Sequence, residues 1–445
     1  MISEWRNKVI QGDCLELMKK LPDNSIDLIV TDPPYGLKFM GKDWDKAVPS
    51  VSVWVECLRV LKPGAFAFIM TSPRSDLQAE MIKRLEKAGF ETGFTPIYWA
   101  YATGFPKSMN ISKAIDKKKG LKRSGIIRTD GVHSDSGSGC YNLNSGNSKL
   151  KSKYETGEPI SKEAKALDGS YAGFQPKPAV EVILVVMKPL SEKNYVNQAL
   201  SNGKGVTWLD DCRIPYESND KVWKAKNAII DTSIGAGKMG LMTAHSLHKG
   251  KKADRYEAVG NPNGRFPANL LVSDDVLNDG KVTVSQGGKT QRNTAHFGNT
   301  IFNMHGYGDV GSFSRYFSLD AWWEEFKRVH DDTGNLLNTF PFAIIPKASK
   351  NEKNKGLEND KEKPKCKNFH PTVKPVKLMS YLITLGSRAN DLILDPFMGS
   401  GTTGVSAVLC GRDFIGFELN PEYCEIARKR IKAIPRKLNN WSVGD

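Results

Sequence analysis

Strand and helix signals alternate at both ends of this chain, and the texture between them differs, so the two ends must find each other to complete one sheet. In the first hundred residues, Lys8–Gln11, Ser25–Thr31 (SIDLIVT), Ala65–Met70 and Thr95–Tyr101 read as strands. Cys14–Lys20, Val53–Leu61 and Asp76–Lys87 have helical spacing, with breaks at Lys62-Pro63-Gly64 and Gly89. The rhythm returns near the end. Val376–Leu385 reads as a helix and Asp391–Leu394 as a strand, followed by a glycine loop and a helix over Thr402–Leu409. A strand over Asp413–Phe417 and a helix over Pro421–Ala433, with proline at its first position, complete the pattern. Ala179–Met187 (AVEVILVVM) is a further buried strand. Such alternation predicts an α/β fold with a doubly wound, mostly parallel sheet. The economical arrangement is a Rossmann-like sheet assembled from both chain ends, with a domain inserted between them.

The middle of the chain is organised differently. Lys107–Lys177 is rich in Ser, Gly, Asn and Lys, and DSGSGCYNLNSGNSK has no apolar periodicity. It reads as a long, mobile, basic insertion, either a loop without a role or a lid that orders over a nucleic acid. Residues 200–345 are Gly- and Asn-rich, with a helix-like start at Trp322 and Trp323 and a strand-like Phe340–Ile345. The charged linker KASKNEKNKGLENDKEKPK follows. The net charge of +15, from 64 basic and 49 acidic residues, suits a polyanion such as nucleic acid, or simply a well-solvated basic surface. Seven cysteines without a CxxC pair indicate neither a disulfide framework nor a zinc ribbon and fit a reducing cytoplasm. The polar start Met1–Lys8 has no apolar signal core, and no apolar run approaches the ~20 residues of a membrane span.

Two motifs carry chemistry. Asp32-Pro33-Pro34-Tyr35 ends a buried strand. A bare Asp-Pro-Pro can be no more than a stiff turn capped by its Asp. In an open α/β sheet, however, ligands bind beyond the carboxyl ends of strands. There the Asp32 carboxylate and the Pro33 carbonyl can accept both hydrogens of a planar exocyclic base amine. That favours a pyramidal nitrogen, whose lone pair is then free to attack, and both acceptors bind tighter as positive charge develops. Tyr35 offers a ring to stack on the base. A base must leave the duplex to reach such a site.

The second motif, LDPFMGSGTTG at 394–404, lies between a strand and a helix. Gly399 and Gly401 allow close backbone approach to a ligand, and Thr402 and Thr403 open a helix whose N-terminus suits a carboxylate or phosphate. No GK[ST] follows, so it is not a Walker loop. Glu418, at the end of the next strand, stands where an acid binds ribose hydroxyls; its bland reading is an ordinary surface glutamate.

Together with HPTVKP at 370–375, these motifs resemble the S-adenosylmethionine-dependent DNA amino-methyltransferases. With the catalytic motif first, a variable region next and the cofactor motif last, the order is similar to the circularly permuted beta class. The likeness covers about 1–105, 178–200 and 340–435. LDDCRIPYE (209–217), GRFPANLLVSDD (264–275) and IIPKASKNEKNKGLE (344–358) are similar to segments of phage- and restriction-type members. The resemblance implies the seven-stranded methyltransferase sheet and makes Asp32, Pro33, Pro34 and Tyr35 catalytic. It implies a cofactor site of Asp13, Cys14, Asp32, Thr372, Lys374, Asp395, Pro396, Phe397, Gly399, Ser400, Gly401, Thr402, Thr403, Glu418 and Leu419. Within it, Thr372 and Lys374 lie near the cofactor's carboxylate, Glu418 at its ribose and Asp13 at its adenine. Trp99, Tyr101 and Phe105 fall where the family packs an aromatic on the flipped base. Gly36 departs from the asparagine that many relatives carry there.

The domain pattern expected is a catalytic half at 1–105, a flexible basic insertion at 106–178 and a return strand at 179–199. A target recognition region at 200–345, a charged linker at 346–368 and a cofactor-binding half at 369–445 follow. The expected activity is methyl transfer from S-adenosyl-L-methionine to adenine N6 in double-stranded DNA, with cytosine N4 as the alternative. A reading of another class is a non-catalytic DNA-binding subunit that keeps the fold. No metal is expected. A homodimer and a cognate restriction endonuclease are open as partners, in a bacterial or phage-encoded cytoplasmic protein.

Overall fold

The computed structural model describes residues 2–37, 47–100, 108–123, 157–174, 180–215, 263–272, 322–324, 350–357 and 372–434. Ser318, Asn368 and the backbone of short strands between 224 and 311 are also described. The chain forms two compact units, one of Met1–Thr103 with Val180–Asp445 and one of Gly104–Ala179. The main-sheet strands are β1 (Lys8–Gln11), β2 (Leu28–Thr31), β3 (Phe66–Thr71), β4 (Ile97–Ala100), β5 (Val180–Met187), β6 (Leu270–Val272), β7 (Leu392–Asp395) and β8 (Asp413–Glu418). The helices used below are α1 (Cys14–Met18), α2 (Val51–Val60), α3 (Ser75–Ala88), α4 (Ile111–Lys118), α5 (Lys162–Ala166), α6 (Val376–Gly386), α7 (Thr402–Leu409) and α8 (Pro421–Lys432).

The strand order is β1-β8-β7-β2-β3-β5-β4-β6. β7, from the end of the chain, pairs in parallel with β2, from its beginning, and with β8 on the other side. β5 alone runs antiparallel to its neighbours β3 and β4. β2, β3 and β7 are buried along their whole length, as strands covered on both faces must be. Successive side chains alternate between the two layers. Leu28, Val30 and Phe68 join the cluster with α6 and α7, while Ile29, Ala67 and Ile69 join the one with α1, α2 and α3. α6 is buried from Leu378 to Gly386, as its near-continuous apolar run requires. At Gly386 a Cβ would lie 2.6 Å from Leu28 Cδ1 and 2.8 Å from Phe68 Cε2, so this position lets the helix sit down on the sheet.

Two expectations change. Among the described residues the sheet has eight strands rather than seven, because β6 pairs in parallel with β4 and covers an edge that would otherwise expose unpaired backbone groups. That strand comes from the region read as separate from the sheet. Cys212, Ile214, Leu271, Trp322 and Trp323 likewise belong to the core of the first unit. Trp322 meets the Tyr381 ring edge-on at 5.0 Å, and its indole donates to the Asp211 carbonyl at 3.0 Å.

The 107–177 stretch also has folded flanks. In the second unit α4 and α5 are joined by the buried carboxylate of Asp116, which accepts from Arg123 Nε at 2.7 Å, Ser161 Oγ at 2.8 Å and the Ile160 and Ser161 amides. A polar hub carries no apolar period, so a search for periodicity passes over it. Gly125–Ser152 and Phe340–Ile345 lie outside the described residues. Among the described residues no helix is long and apolar enough to cross a membrane, and no group of side chains could hold a metal ion.

Asp27 ties the start of β2 to three other segments. It accepts from the Leu392 amide at 2.9 Å and from the ammoniums of Lys62 and Lys204 at 2.6 and 2.9 Å. Burial opposes its charge, but these donors outweigh burial and hold the carboxyl below its ordinary range. Its contribution to stability is therefore present above the ordinary carboxylate pKa and lost on acidification. Asp27→Asn should lower the unfolding free energy by about 3 kcal/mol near neutral pH, read by urea denaturation. The gap between the two proteins should close below about pH 4.

Candidate active site

β2 ends at Thr31, and Asp32-Pro33-Pro34-Tyr35 continues beyond the carboxyl edge of the sheet. Both Asp32 oxygens are engaged. Oδ1 accepts from the Tyr35 hydroxyl at 2.6 Å and Oδ2 from Lys374 Nζ at 2.5 Å. Lys374 directly precedes Pro375, the N-cap of α6. Its ammonium also lies 3.3 Å from Glu181 Oε2 and 5.4 Å from the centre of the Tyr35 ring. The Tyr35 hydroxyl is itself 3.4 Å from Glu181 Oε2. Glu181 arrives here because β5 runs backwards. Its first residues lie where the parallel strands end, with Val182 opposite Thr71, the last residue of β3.

One cation therefore serves two carboxylates. Burial pushes the Asp32 carboxyl upward, Lys374 pulls it down, and Glu181 adds to the rise, leaving it raised. Burial alone would lower Lys374, but the two carboxylates hold it well above its ordinary value, so it stays charged. At Gly36, φ is +75° and a Cβ would lie 3.2 Å from the Val48 amide. Glycine, and asparagine after it, suit that left-handed turn.

The second motif is built around Asp395, the last residue of β7. Its Oδ1 accepts from Thr31 Oγ1 at 2.6 Å and the Phe397 amide at 3.0 Å, and its Oδ2 from Thr403 Oγ1 at 2.5 Å. Burial lifts this carboxyl to about 6 despite those donors. From behind, the buried guanidinium of Arg430 on α8 donates to the Ser400 carbonyl at 2.6 Å and to Ser400 Oγ and Thr402 Oγ1, both at 3.2 Å. Gly401 takes φ +85°, and a Cβ there would lie 2.8 Å from Ala427 Cβ on α8. Glu418 closes the loop, with Oε2 accepting from the Gly399 amide and Oε1 from the Asn420 amide, both at 2.8 Å. Burial raises its pKa as well.

The two motifs thus meet at the adjoining ends of β2 and β7, linked by Thr31 to Asp395. The expected site residues are placed as follows. Lys374, expected near a cofactor carboxylate, lies against Asp32 and Glu181. The hydroxyls of Ser400, Thr402 and Thr403 point into the protein, which leaves the loop backbone to face a ligand. Asp13 caps α1 through the Leu15 amide at 2.8 Å. Beside it, burial first and then Asp13 push the Cys14 thiol up to about 12. Pro396, Phe397 and Leu419 flank the loop and strand ends; Phe397 packs on Trp54 and Leu419 is exposed. Thr372 is half-buried two residues before Lys374. Trp99 is buried in the core and offers no face for a flipped base, since β4 turns it inward. Tyr101 and Phe105 lie outside the described residues. Glu181, Thr31 and Arg430 were not anticipated. An acid inside AVEVILVVM was the available signal for Glu181.

A profile of a family described as DNA methylase, N6_N4_Mtase, matches residues 26–429. The Type II methyltransferase M2.MboI of Moraxella bovis is 34% identical over 131 residues, covering 28% of this chain and 46% of its own. The DNA adenine methyltransferase YhdJ of Escherichia coli (strain K12) is 47% identical over 62 residues, 14% of this chain and 21% of its own. The chain therefore spans less than half the length of these curated relatives. Among solved structures, the PvuII DNA methyltransferase, described as cytosine-N4-specific, matches at 15% identity with a TM-score of 0.39, covering 97% of this chain and 86% of that one.

A carboxyl raised on folding binds more protons in the folded than in the unfolded chain between the two pKa values, so stability falls as pH rises through that window. Asp395, at about 6 when folded, should make the protein lose stability between about pH 4 and 6. Thermal unfolding of Asp395→Asn across that range should show a flatter pH dependence than the wild-type chain. Equal slopes would remove Asp395 as the cause.

Proposed function

Because the chain belongs to the DNA methylase family whose profile spans residues 26–429, we propose that it methylates an exocyclic base amine in double-stranded DNA, with adenine N6 the first target. The observation that carries this reading is the pairing of β2 with β7, which sets the Asp32 motif beside the Asp395 loop. A methyl acceptor and a methyl donor must be held side by side, and the reading assigns one motif to each.

The loop's donor set fits S-adenosylmethionine. With the Ser400, Thr402 and Thr403 hydroxyls drawn inward, amides at the N-terminus of α7 are left to meet an anionic group such as the methionine carboxylate. Each Glu418 oxygen accepts one amide and keeps a further acceptor site for a ribose hydroxyl. Asp13, beyond β1, and Phe397, Gly399 and Leu419 complete the proposed pocket. Bound there, S-adenosylmethionine would supply an electrophilic methyl group.

Asp32 then does the work on the acceptor. Its carboxylate and the Pro33 carbonyl take the hydrogens of the amine and hold the nitrogen lone pair toward the donor. As the nitrogen gains positive charge, a buried carboxylate stabilises it far more than water would. Tyr35 provides a stacking face worth about 1–3 kcal/mol against the cost of extruding the base. Acceptors placed this way serve cytosine N4 equally well. The adenine preference is supported by one relative's description as a DNA adenine methyltransferase. Retention of both Asp32 and the glycine loop counts against a DNA-binding subunit without activity.

Asp32→Ala should reduce transfer of tritiated methyl groups to unmethylated genomic DNA by at least about a thousandfold, while S-adenosylmethionine binding by calorimetry changes little. Nucleoside digestion of the wild-type product should yield N6-methyladenine. N4-methylcytosine alone would replace the adenine reading with the cytosine one, and full turnover by Asp32→Ala would remove Asp32 from the chemistry.

A further inference from the structure

The cluster around Lys374 contains a charge that the proposed reaction does not use. We propose that Glu181 is a second seat for the Lys374 ammonium, a positioning residue that lets the cation leave Asp32 when a base amine enters. The inference rests on the methyltransferase reading of the site.

As it stands, Asp32 is a poor partner for a nitrogen that is becoming positive. Its Oδ2 holds an ammonium at 2.5 Å, and its Oδ1 holds the Tyr35 hydroxyl at 2.6 Å. A cation in contact with the acceptor opposes a second positive charge arriving on the same carboxylate. The ammonium cannot simply withdraw, because it is buried, and an unpaired buried cation is expensive. Glu181 removes that obstacle. Its Oε2 lies 3.3 Å from the same Nζ, so a shift of under about 1 Å would give a close pair. The Tyr35 hydroxyl sits between the same two acids, at 2.6 Å from Asp32 and 3.4 Å from Glu181, and can turn with it.

The charge count explains why this exchange is inexpensive. Two carboxylates and one ammonium leave one net negative charge in the cluster. With Lys374 on Asp32, the surplus charge rests on Glu181. With Lys374 on Glu181, it rests on Asp32, where the amine needs it. The number of buried pairs is the same in both arrangements. Without an acid at 181 the second arrangement would strand a buried ammonium, and Asp32 would stay paired.

The test is a double-mutant cycle on the full chain, using tritium transfer to unmethylated genomic DNA, with kcat and KM for DNA measured separately. Glu181→Gln should lower kcat about tenfold or more, while the dissociation constant for S-adenosylmethionine stays within about twofold. Lys374→Met should also lose activity, since two repelling carboxylates are then left without a cation. The double variant should be at least as active as Lys374→Met, because with no cation to relocate the second acid only disturbs Asp32. Losses that multiply in the double variant would overturn the coupling, as would wild-type kcat in Glu181→Gln. If Lys374→Met fails to bind S-adenosylmethionine, kcat of the near-isosteric Glu181→Gln decides alone. Absence of transfer by the wild-type chain would overturn the proposed function and this inference together. Wild-type transfer with an unaffected Glu181→Gln would overturn this inference only.

Discussion

The parallel pairing of β2 with β7 is the contact on which the site depends. Leu28 faces Ile393 and Ile29 faces Leu394 in register. Just beyond that ladder, Thr31 and Asp395 join through a hydrogen bond between positions 364 apart in sequence. Both strands are buried on two faces, so a one-residue slip would turn every side chain to the wrong layer. The register is therefore fixed by packing before any ligand arrives. Loop closure grows only logarithmically with length, so the long chain between the strands adds little to the cost of bringing them together. This is how a sheet can be shared by two chain ends while the segment between them varies in composition.

Buried charges hold both motifs in shape from behind. Arg430 holds the glycine loop through the Ser400 carbonyl and two hydroxyls, and burial lowers its pKa to about 10 without threatening its charge near neutrality. Asp395 receives Thr31, Thr403 and the Phe397 amide. The Ser400, Thr402 and Thr403 hydroxyls of the loop are thus spent on the protein. The same logic holds at Asp32, whose two oxygens are held by the Lys374 ammonium and the Tyr35 hydroxyl.

Much of this was legible in the sequence because it rests on local signals. SIDLIVT, LDPFMGSGTTG and the helix at Val376 announce themselves through runs, breakers and periods, and the motif positions place Asp32 and Asp395 at strand ends. What was not legible depends on direction and on what packs behind. Nothing in AVEVILVVM says that its strand runs antiparallel, and only that reversal carries Glu181 to the edge where β2 and β7 end. Trp99 sat at a plausible stacking position, but the facing of β4 buries it. Ser400, Thr402 and Thr403 stood in the right motif, and their hydroxyls turn toward Arg430 and Asp395, which no spacing reveals. The eighth strand was hidden because LLV at 270–272 is too short to read apart from the edge of β4 that it covers.

The reversed strand also bears on why an acid is tolerated inside a buried run. In a parallel strand, a glutamate at the second position would sit at the amino edge of the sheet, away from Asp32 and Lys374. In β5 the same position reaches the carboxyl edge and finds Lys374 at 3.3 Å and the Tyr35 hydroxyl at 3.4 Å. Strand direction converts an unfavourable residue into the third member of a charge cluster. A buried ammonium within reach of two acids keeps a partner whichever of them it favours. Two carboxylates on opposite-running strands, with one lysine before α6 between them, provide this without adding a net cation to the crevice.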